Sequence, residues 1–153
     1  MKLYLVQHGR AQSKDIDPQR PLTDEGKEET KRIAGFIKKR ALSVDHLWHS
    51  GKKRAAQSAE ILSQAFNVNN SVETKDGLAP KDDVDKIVSE INDAEGDIMI
   101  VGHLPFLSTL ASRLLSGKQK TEVVKFTYAG IVCLERDKEN NWHLEWAVIP
   151  QLV

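Results

Sequence analysis

Two histidines and two arginines stand at positions in this sequence where the ligand-binding groups of α/β proteins are commonly found. His8 and His103 each follow a short apolar run and adjoin a glycine, Arg54 follows a Ser-Gly pair, and Arg20 lies in a polar segment. Imidazole and guanidinium groups together suit a tetrahedral anion such as phosphate. A neutral imidazole nitrogen also accepts a phosphoryl group near pH 7 and releases it to water later. The four residues therefore predict phosphoryl transfer through a histidine nucleophile.

This prediction requires that the elements carrying the four residues place them at one edge of a sheet. Residues 3–6 and 97–101 are short, continuous apolar runs, which are typical of strands buried on both faces. Residues 44–48 predict a further strand, followed by a helix over about 52–66. Ligands of open α/β sheets bind outside the carboxyl ends of parallel strands, where these four side chains are expected to meet. Taken singly, a histidine at a strand end or an arginine in a loop is usually just solvated.

The remaining pattern predicts the layers around this sheet. Thr23 starts a helix whose apolar positions Ile33, Ala34 and Ile37 recur at helical spacing, after a loop over 11–22. Two more helices are predicted over 83–93 and from Pro105 through Leu115, together with a short strand over 71–75. Strands over 129–136 and 142–149 form a half-exposed antiparallel hairpin, in which Trp142, Leu144, Trp146 and Val148 alternate with polar or small residues. The expected fold is one α/β domain over 1–153: a three-layer sandwich with a mostly parallel central sheet, helices on both faces and a C-terminal hairpin.

The start of the predicted helix over 52–66 has an unusual charge. Lys52, Lys53 and Arg54 crowd its first turn, where the helix dipole disfavours cations. One interpretation is that an anion binds there, since free backbone N–H groups, the dipole and Arg54 all suit phosphate. The alternative is a solvated basic helix end that costs only a few tenths of a kcal/mol.

Bulk composition excludes several classes of protein. The 22 basic and 22 acidic residues give a formal net charge of zero, so no overall field attracts nucleic acid or an anionic membrane. No apolar stretch is long enough to span a membrane, and the N-terminus lacks a signal-peptide pattern. The single cysteine, Cys133, excludes internal disulfides and is predicted to be buried. We expect a cytoplasmic protein with no membrane or nucleic-acid partner.

Three segments in order resemble the motifs of the histidine phosphatase superfamily, which has the phosphoglycerate mutase-like fold. They are Gln7-His8-Gly9, the run from Ser50 to Ala59 and Val101-Gly102-His103. Arg20-Pro21-Leu22-Thr23, His103-Leu104-Pro105 and the short length are similar to its small phosphohistidine phosphatases of the SixA type. The similarity runs over essentially the whole chain.

The resemblance implies a role for each motif residue. His8 would be the nucleophile, and His103 a phosphate ligand that stabilises the transition state. Arg20 and Arg54 would bind phosphate, together with Gln7, Gly9 and Arg10 from the first motif. The reaction would use no cofactor and no metal, its substrate would be a phosphohistidine-containing protein, and phosphate or sulfate would bind in the site.

Two departures from the family pattern bear on activity. The family motif begins Arg-His-Gly, whereas this chain has the uncharged Gln7, and loss of a charged contact costs on the order of a few kcal/mol of transition-state stabilisation. The sequence leaves open whether Arg10 or Lys52 compensates. Larger members use a glutamate as general acid, but Asp82 and Asp83 in the matching region are read as first-turn acids of the next helix, with a general-acid role left open. A missing acid favours phosphohistidine, because a protonated imidazole leaves more readily than an alkoxide.

The other histidines are given structural interpretations. His46 and His49 point to opposite sides of a strand, so a metal site is not expected, and His143 belongs to the polar side of the hairpin. Two other functions remain open. The chain is either a phosphatase or mutase acting on small phosphomonoesters, or a phosphate-binding regulatory module that has lost turnover through Gln7.

Overall fold

The computed structural model describes all 153 residues of the chain, in which strands and helices alternate as far as Ser116. Two strands without an intervening helix close the chain. In chain order the elements are β1 (Lys2–Gln7), α1 (Asp24–Lys38), β2 (Ser43–His49), α2 (Lys53–Ser63), β3 (Asn67–Thr74), α3 (Val84–Asp93), β4 (Ile98–Gly102), α4 (Phe106–Ser116), β5 (Ile131–Arg136), β6 (Trp142–Val148) and a 3-10 turn at Pro150–Leu152.

The six strands form one sheet in the order β3-β2-β4-β1-β5-β6. The β3/β2, β2/β4 and β4/β1 pairs are parallel, and the β1/β5 and β5/β6 pairs are antiparallel. This arrangement confirms the predicted mostly parallel sheet with a C-terminal antiparallel hairpin. It brings the carboxyl ends of β1, β2 and β4 to one edge of the sheet, which is the edge where the sequence predicted the site.

Helices cover both faces of the sheet. Side chains of β1 alternate between them: Tyr4 and Val6 pack in the core under α1 and α2, and Leu3 and Leu5 in the core under α3 and α4. Each core cluster contains 17 buried residues, so both faces of the central strands are fully covered. The three-layer sandwich is therefore confirmed.

Helix boundaries follow local chemistry. Thr23 caps α1, its hydroxyl accepting a hydrogen bond from the backbone N–H of Gly26 at 2.9 Å. Gly117 ends α4 with φ 72°, a left-handed conformation that glycine adopts without a Cβ clash. Helix α2 ends at Ser63 rather than at the predicted Phe66, although Phe66 remains in the core.

Two strand predictions were wrong in extent. Strand β3 covers Asn67–Thr74 instead of 71–75, because it is an exposed edge strand whose polar side chains carry no apolar signal. Strand β5 begins at Ile131 instead of 129, since Ala129 adopts φ 60° and Gly130 closes a turn by donating to the carbonyl of Thr127. The residues before Ile131 are therefore a loop at the site edge.

The predicted alternation in the last strand was also wrong, because β6 contains a bulge. Cys133 of β5 pairs with Trp146, while the next residue pairs with Leu144, so one residue of β6 is skipped. As a result Trp142 packs in the α3/α4 core and Trp146 against the α1/α2 core, and Leu144 is 51% exposed. Cys133 is buried as predicted.

None of the helices combines the length and apolar character that crossing a lipid bilayer requires.

Candidate active site

A cavity of about 360 Å³ opens at the carboxyl edge of the sheet, beyond the ends of β1 and β4. It brings together the two histidines and two arginines that the sequence predicted, along with Gln7. Gly9 and Arg10, which were also predicted to bind phosphate, do not line it. The lining residues are Gln7, His8, Arg20, Arg54, Pro80, His103, Leu104 and Tyr128.

The two ring nitrogens of His8 have different partners. Nδ1 lies 2.7 Å from the carbonyl oxygen of Gly9, which only accepts hydrogen bonds, so Nδ1 carries the proton. Nε2 then has a free lone pair, to which Nε of Arg54 donates at 3.3 Å. Burial, together with the nearby cations Arg54 and Arg20, lowers the pKa of His8 to about 4, against the opposing effect of the hydrogen bond to Gly9. His8 is therefore neutral near pH 7, with Nε2 as its only nucleophilic atom.

His103 faces His8 across the cavity, with 5.0 Å between the ring centroids. Its Nε2 lies 2.6 Å from the hydroxyl of Ser50 at the end of β2, and its Nδ1 is buried without a hydrogen-bond partner. Burial first, and then His8 and the nearby cations, lower the pKa of His103 to about 3. Because His103 is neutral and is held by one hydroxyl, it is better suited to hydrogen-bond an anion than to act as a fixed positive charge.

The two arginines reach the cavity from different elements. Arg54 lies in the first turn of α2, directly after the end of β2. Arg20 is held in the left-handed region at φ 48°, which is uncommon for a residue other than glycine, and its Nε donates to the carbonyl of Gln12 at 3.1 Å. A bridge between Ala11 and Leu22 closes this loop at its base. Both guanidiniums therefore enter the cavity from backbone that the loop and helix hold in place.

The N-terminus of α2 has features that would suit an anion, and the alternative of a solvated basic helix end stays open. Lys52 is the N-cap but provides no side-chain cap, and the first turn contains no acidic residue. Burial and, after it, the positive charge of Arg20 lower the pKa of Arg54. Unsatisfied N–H groups, the positive end of the dipole and two guanidiniums together favour a phosphate-like ligand.

Gln7 contributes an uncharged side chain to the wall of this cavity. Its side chain is buried, and its Oε1 has no hydrogen-bond partner, so the unpartnered carbonyl lies away from solvent. Arg10 is directed elsewhere: its Nε donates to Glu29 on α1 at 3.1 Å, and its guanidinium lies 5.4 Å from the ring centroid of Tyr128. Lys52 is exposed and does not line the cavity, although its charge contributes to the low pKa of His103.

Close backbone packing fixes the turn after His8. The N–H of Gly9 donates to Ser58 Oγ at 2.9 Å, and Ser58 in turn donates to the carbonyl of Arg54 at 2.8 Å. A Cβ at Gly9 would lie 2.9 Å from the carbonyl oxygen of Gly26 on α1, closer than real Cβ contacts. This hydrogen-bonded link between the first motif and α2 was missed by the sequence analysis. The only signal for it is that Ser58 lies four residues after Arg54, on the same helix face.

Neither of the two aspartates considered as a general acid lines the cavity. Asp83 caps α3 by accepting from the backbone N–H of Asp85 at 3.0 Å. Asp82 lies in the preceding turn, not in the first turn of the helix as predicted, and accepts from the N–H of Ala79 at 2.9 Å. The cavity is thus lined by no carboxylate.

The remaining histidines have local partners. His46 Nε2 lies 3.2 Å from the carbonyl of Glu95, and His49 Nδ1 accepts from the N–H of Gly51 at 3.1 Å. His143 is exposed in β6 and lies 2.9 Å from Asp137. No group of three or more His, Cys, Asp or Glu side chains is arranged to hold a metal ion.

Sequence reasoning also missed the apolar residues of the cavity wall. Pro80 precedes α3, Leu104 directly follows His103, and Tyr128 lies in the loop before β5 with its ring centroid 5.7 Å from that of His8. Leu104 was identifiable from its place beside His103. Residues 118–128 have no periodic pattern, so no local signal identified Tyr128.

Comparison with known proteins finds similar chains of known family. Residues 3–80 match the family model of the histidine phosphatase superfamily, branch 1. The phosphohistidine phosphatase SixA of Escherichia coli strain K12 is 25% identical over 155 residues, covering 98% of this chain and 94% of that protein.

Solved structures share the whole fold. The protein histidine phosphatase SixA complexed with tungstate superposes with a TM-score of 0.85 at 25% identity, covering 99% of both chains. The α-ribazole phosphatase of Shigella flexneri has a TM-score of 0.80 at 16% identity, covering 98% of this chain and 96% of that one. At 16% identity the second likeness concerns the fold alone.

Proposed function

We propose that this chain, which belongs to branch 1 of the histidine phosphatase superfamily, hydrolyses phosphohistidine on a protein through a phosphoryl intermediate on His8. The observation that carries the proposal is the unprotonated Nε2 of His8, held by the Nδ1 hydrogen bond to Gly9 in a cavity with two arginines. The cavity wall contains cations and neutral donors but no carboxylate, which suits an anionic substrate.

In the first step, Nε2 of His8 attacks the phosphorus atom of the substrate. A new P–N bond to His8 forms as the P–N bond to the substrate imidazole breaks, and the departing imidazole nitrogen takes a proton from solvent. Arg20 and Arg54 balance the charge on the equatorial phosphoryl oxygens, while His103 and the N–H groups at the start of α2 donate to them.

In the second step, water attacks the phosphorus atom of phospho-His8. The P–N bond to Nε2 breaks, inorganic phosphate leaves with the oxygen of the water molecule, and the released protons pass to solvent and phosphate. His8 returns to its neutral form with the proton still on Nδ1. Because its pKa is about 4, the regenerated imidazole stays unprotonated near pH 7 and is ready for another cycle.

The missing carboxylate supports phosphohistidine over a phosphomonoester. An alkoxide leaving group needs a strong general acid, whereas an imidazole leaves readily once solvent has protonated it. Asp82 and Asp83, the acids closest in sequence to the family's acid position, are bonded to backbone N–H groups outside the cavity. The 25% identity to SixA, which is a phosphohistidine phosphatase, supports the same substrate class.

The test compares wild type, His8→Ala and the matched control His143→Ala on a histidine-phosphorylated peptide and on a sugar phosphate, without added metal. We expect phosphate release from the peptide by wild type and His143→Ala, no release by His8→Ala, and slow release from the sugar phosphate. Brief exposure to substrate should leave an acid-labile phosphoryl label on His8. Phosphate binding without label or turnover would instead support a regulatory module, and faster sugar-phosphate hydrolysis would support a phosphomonoesterase.

A further inference from the structure

The mouth of the catalytic cavity has a basic side, formed by residues above the α1/α2 layer. Arg20 comes from the loop before α1, and Lys52 and Lys53 from the start of α2. Both lysines are exposed. Lys53 also reaches across to this loop, where its Nζ lies 3.1 Å from the side-chain oxygen of Gln19. Because the loop also contains Asp15 and Asp17, the basic part of the mouth is limited to Arg20 and the start of α2.

Another part of the mouth is apolar and is formed by residues that precede α3, α4 and β5. Pro80 precedes α3, Leu104 precedes α4, and Tyr128 precedes β5. Leu104 is 40% exposed and Tyr128 is 37% exposed, so both present apolar surface to solvent beside the cavity. The guanidinium of Arg10 lies 5.4 Å from the Tyr128 ring centroid, but its charge is balanced there by Glu29.

The cations on the basic side have no carboxylate partner. Arg20, Lys52, Lys53 and Arg54 form no ion pair, whereas Lys2, Arg10, Lys31, Lys75 and Arg113 each do. A phosphoryl group in the cavity would engage the two arginines that line it. It would leave Lys52 and Lys53 free at the rim. Most other cations of the chain also lack an ion pair, but these four lie close together in the chain elements that form the mouth.

We propose that this mouth is a docking surface for a protein segment with carboxylates on one flank of its phosphohistidine and apolar side chains on the other. The carboxylates would lie against Lys52 and Lys53, and the apolar side chains against Leu104 and Tyr128. This inference rests on the proposed function and adds to it the sequence surroundings of the substrate. Charge complementarity of this kind acts mainly on the rate of association and is screened by salt.

The test uses two phosphohistidine peptides that differ only in carrying Glu-Glu or Lys-Lys on one flank, with leucines on the other, and phosphoramidate as a small substrate. Wild type should show a kcat/KM about tenfold higher for the Glu-Glu peptide at low salt, and the difference should shrink in about 0.5 M NaCl. Lys53→Glu should remove or reverse this preference, measured as the ratio of the two kcat/KM values, and phosphoramidate hydrolysis reports any general effect of the charge change on phosphate binding.

Matched controls separate docking from other effects. Lys138→Glu makes the same charge change at the exposed β5–β6 turn, at the other edge of the sheet, and should behave as wild type. Leu104→Ser should lower kcat/KM for both peptides, whereas Leu152→Ser, at an exposed leucine outside the cavity, should not. Equal rates for both peptides with wild type, or equal effects of Lys53→Glu and Lys138→Glu, would overturn the docking surface. Failure of wild type on both peptides would overturn the proposed function itself.

Discussion

Nε of Arg54 lies 3.3 Å from Nε2 of His8, on the side of the imidazole ring opposite to the hydrogen bond with Gly9. The arginine thus holds the lone pair that the proposed reaction uses and also keeps a proton away from it. An incoming phosphoryl group offers the guanidinium a stronger, charged acceptor, which would release Nε2 towards phosphorus. His8 is kept neutral by burial and cations, with no carboxylate in the cavity to favour its protonation.

This electrostatic arrangement predicts a stability that falls in acid. The folded-state pKa of His8 is about 4, below its ordinary value of 6.5, so the unfolded chain binds more protons between these values. The contribution of neutral His8 to the free energy of unfolding is complete above pH 6.5 and is lost as pH falls towards 4. Urea unfolding at about pH 7.5 and 5 measures how far the free energy of unfolding falls between these two pH values. We expect this fall to be smaller in His8→Gln than in wild type, by on the order of 2 kcal/mol. Equal losses would show that His8 is not held neutral.

Restoring the missing charge at Gln7 should speed the reaction. Gln7→Arg places a guanidinium in the cavity wall, where Arg10 does not supply one, and should raise kcat/KM for a phosphohistidine peptide roughly tenfold or more. Gln7→Met keeps the volume, removes the amide donor and should lower the same constant. If Gln7→Arg and wild type have equal rates, another group already supplies the charge.

Arg10 is predicted to act on stability rather than on catalysis. Its partner Glu29 is 5% exposed, so Arg10→Met would leave a buried carboxylate without its cation. We expect the free energy of unfolding to fall by about 1–3 kcal/mol, with kcat changed less than about threefold. Arg10→Lys, as the control, should retain most of the stability. A large loss of kcat at unchanged stability would place Arg10 among the phosphate ligands instead.

Ser50 should position His103. Its hydroxyl lies 2.6 Å from Nε2 of His103, whose other nitrogen has no partner, so this contact is the only one that fixes the ring by hydrogen bonding. Ser50→Ala should lower kcat about tenfold with a smaller change in KM, and ¹⁵N NMR should show a changed His103 tautomer. Ser50→Thr keeps the hydroxyl and should recover part of the activity. An unchanged NMR spectrum would contradict the positioning role.

Asp82 and Asp83 should be dispensable for turnover. Asp83→Ala removes the cap of α3 and should lower the free energy of unfolding by about 1 kcal/mol, while Asp82→Asn should change it less. Both variants should hydrolyse the phosphohistidine peptide at the wild-type rate. Selective loss of the basic limb of the pH–rate profile in either variant would identify that aspartate as a general acid.

The catalytic edge was predictable because its strands have strong local signals. Continuous apolar runs define β1 and β4, and the parallel order then fixes where His8 and His103 must emerge. Basic residues are unfavourable at the start of α2 because the helix dipole is positive there. This unusual charge pattern indicated Arg54 as a site residue. In each case a short segment and one general rule were sufficient.

Other features depend on contacts that no local pattern records. The direction of Arg10 is determined by Glu29, which lies nineteen residues further on and on another element. The bulge adds one residue to β6. The alternation of apolar residues in the sequence does not reveal whether a bulge is present. Metal independence, the protein substrate and a cytoplasmic location stay predictions.

The packing of Gly9 against Gly26 determines which parts of the site can accept substitutions during evolution. No side chain larger than hydrogen fits at Gly9 without moving the start of α1. Substitutions in the wall behind His8 are therefore poorly tolerated. The exposed rim of Leu104 and Tyr128 has no such restriction. New substrate preferences would therefore arise by replacement of rim residues, while the nucleophile and its backbone stay in place.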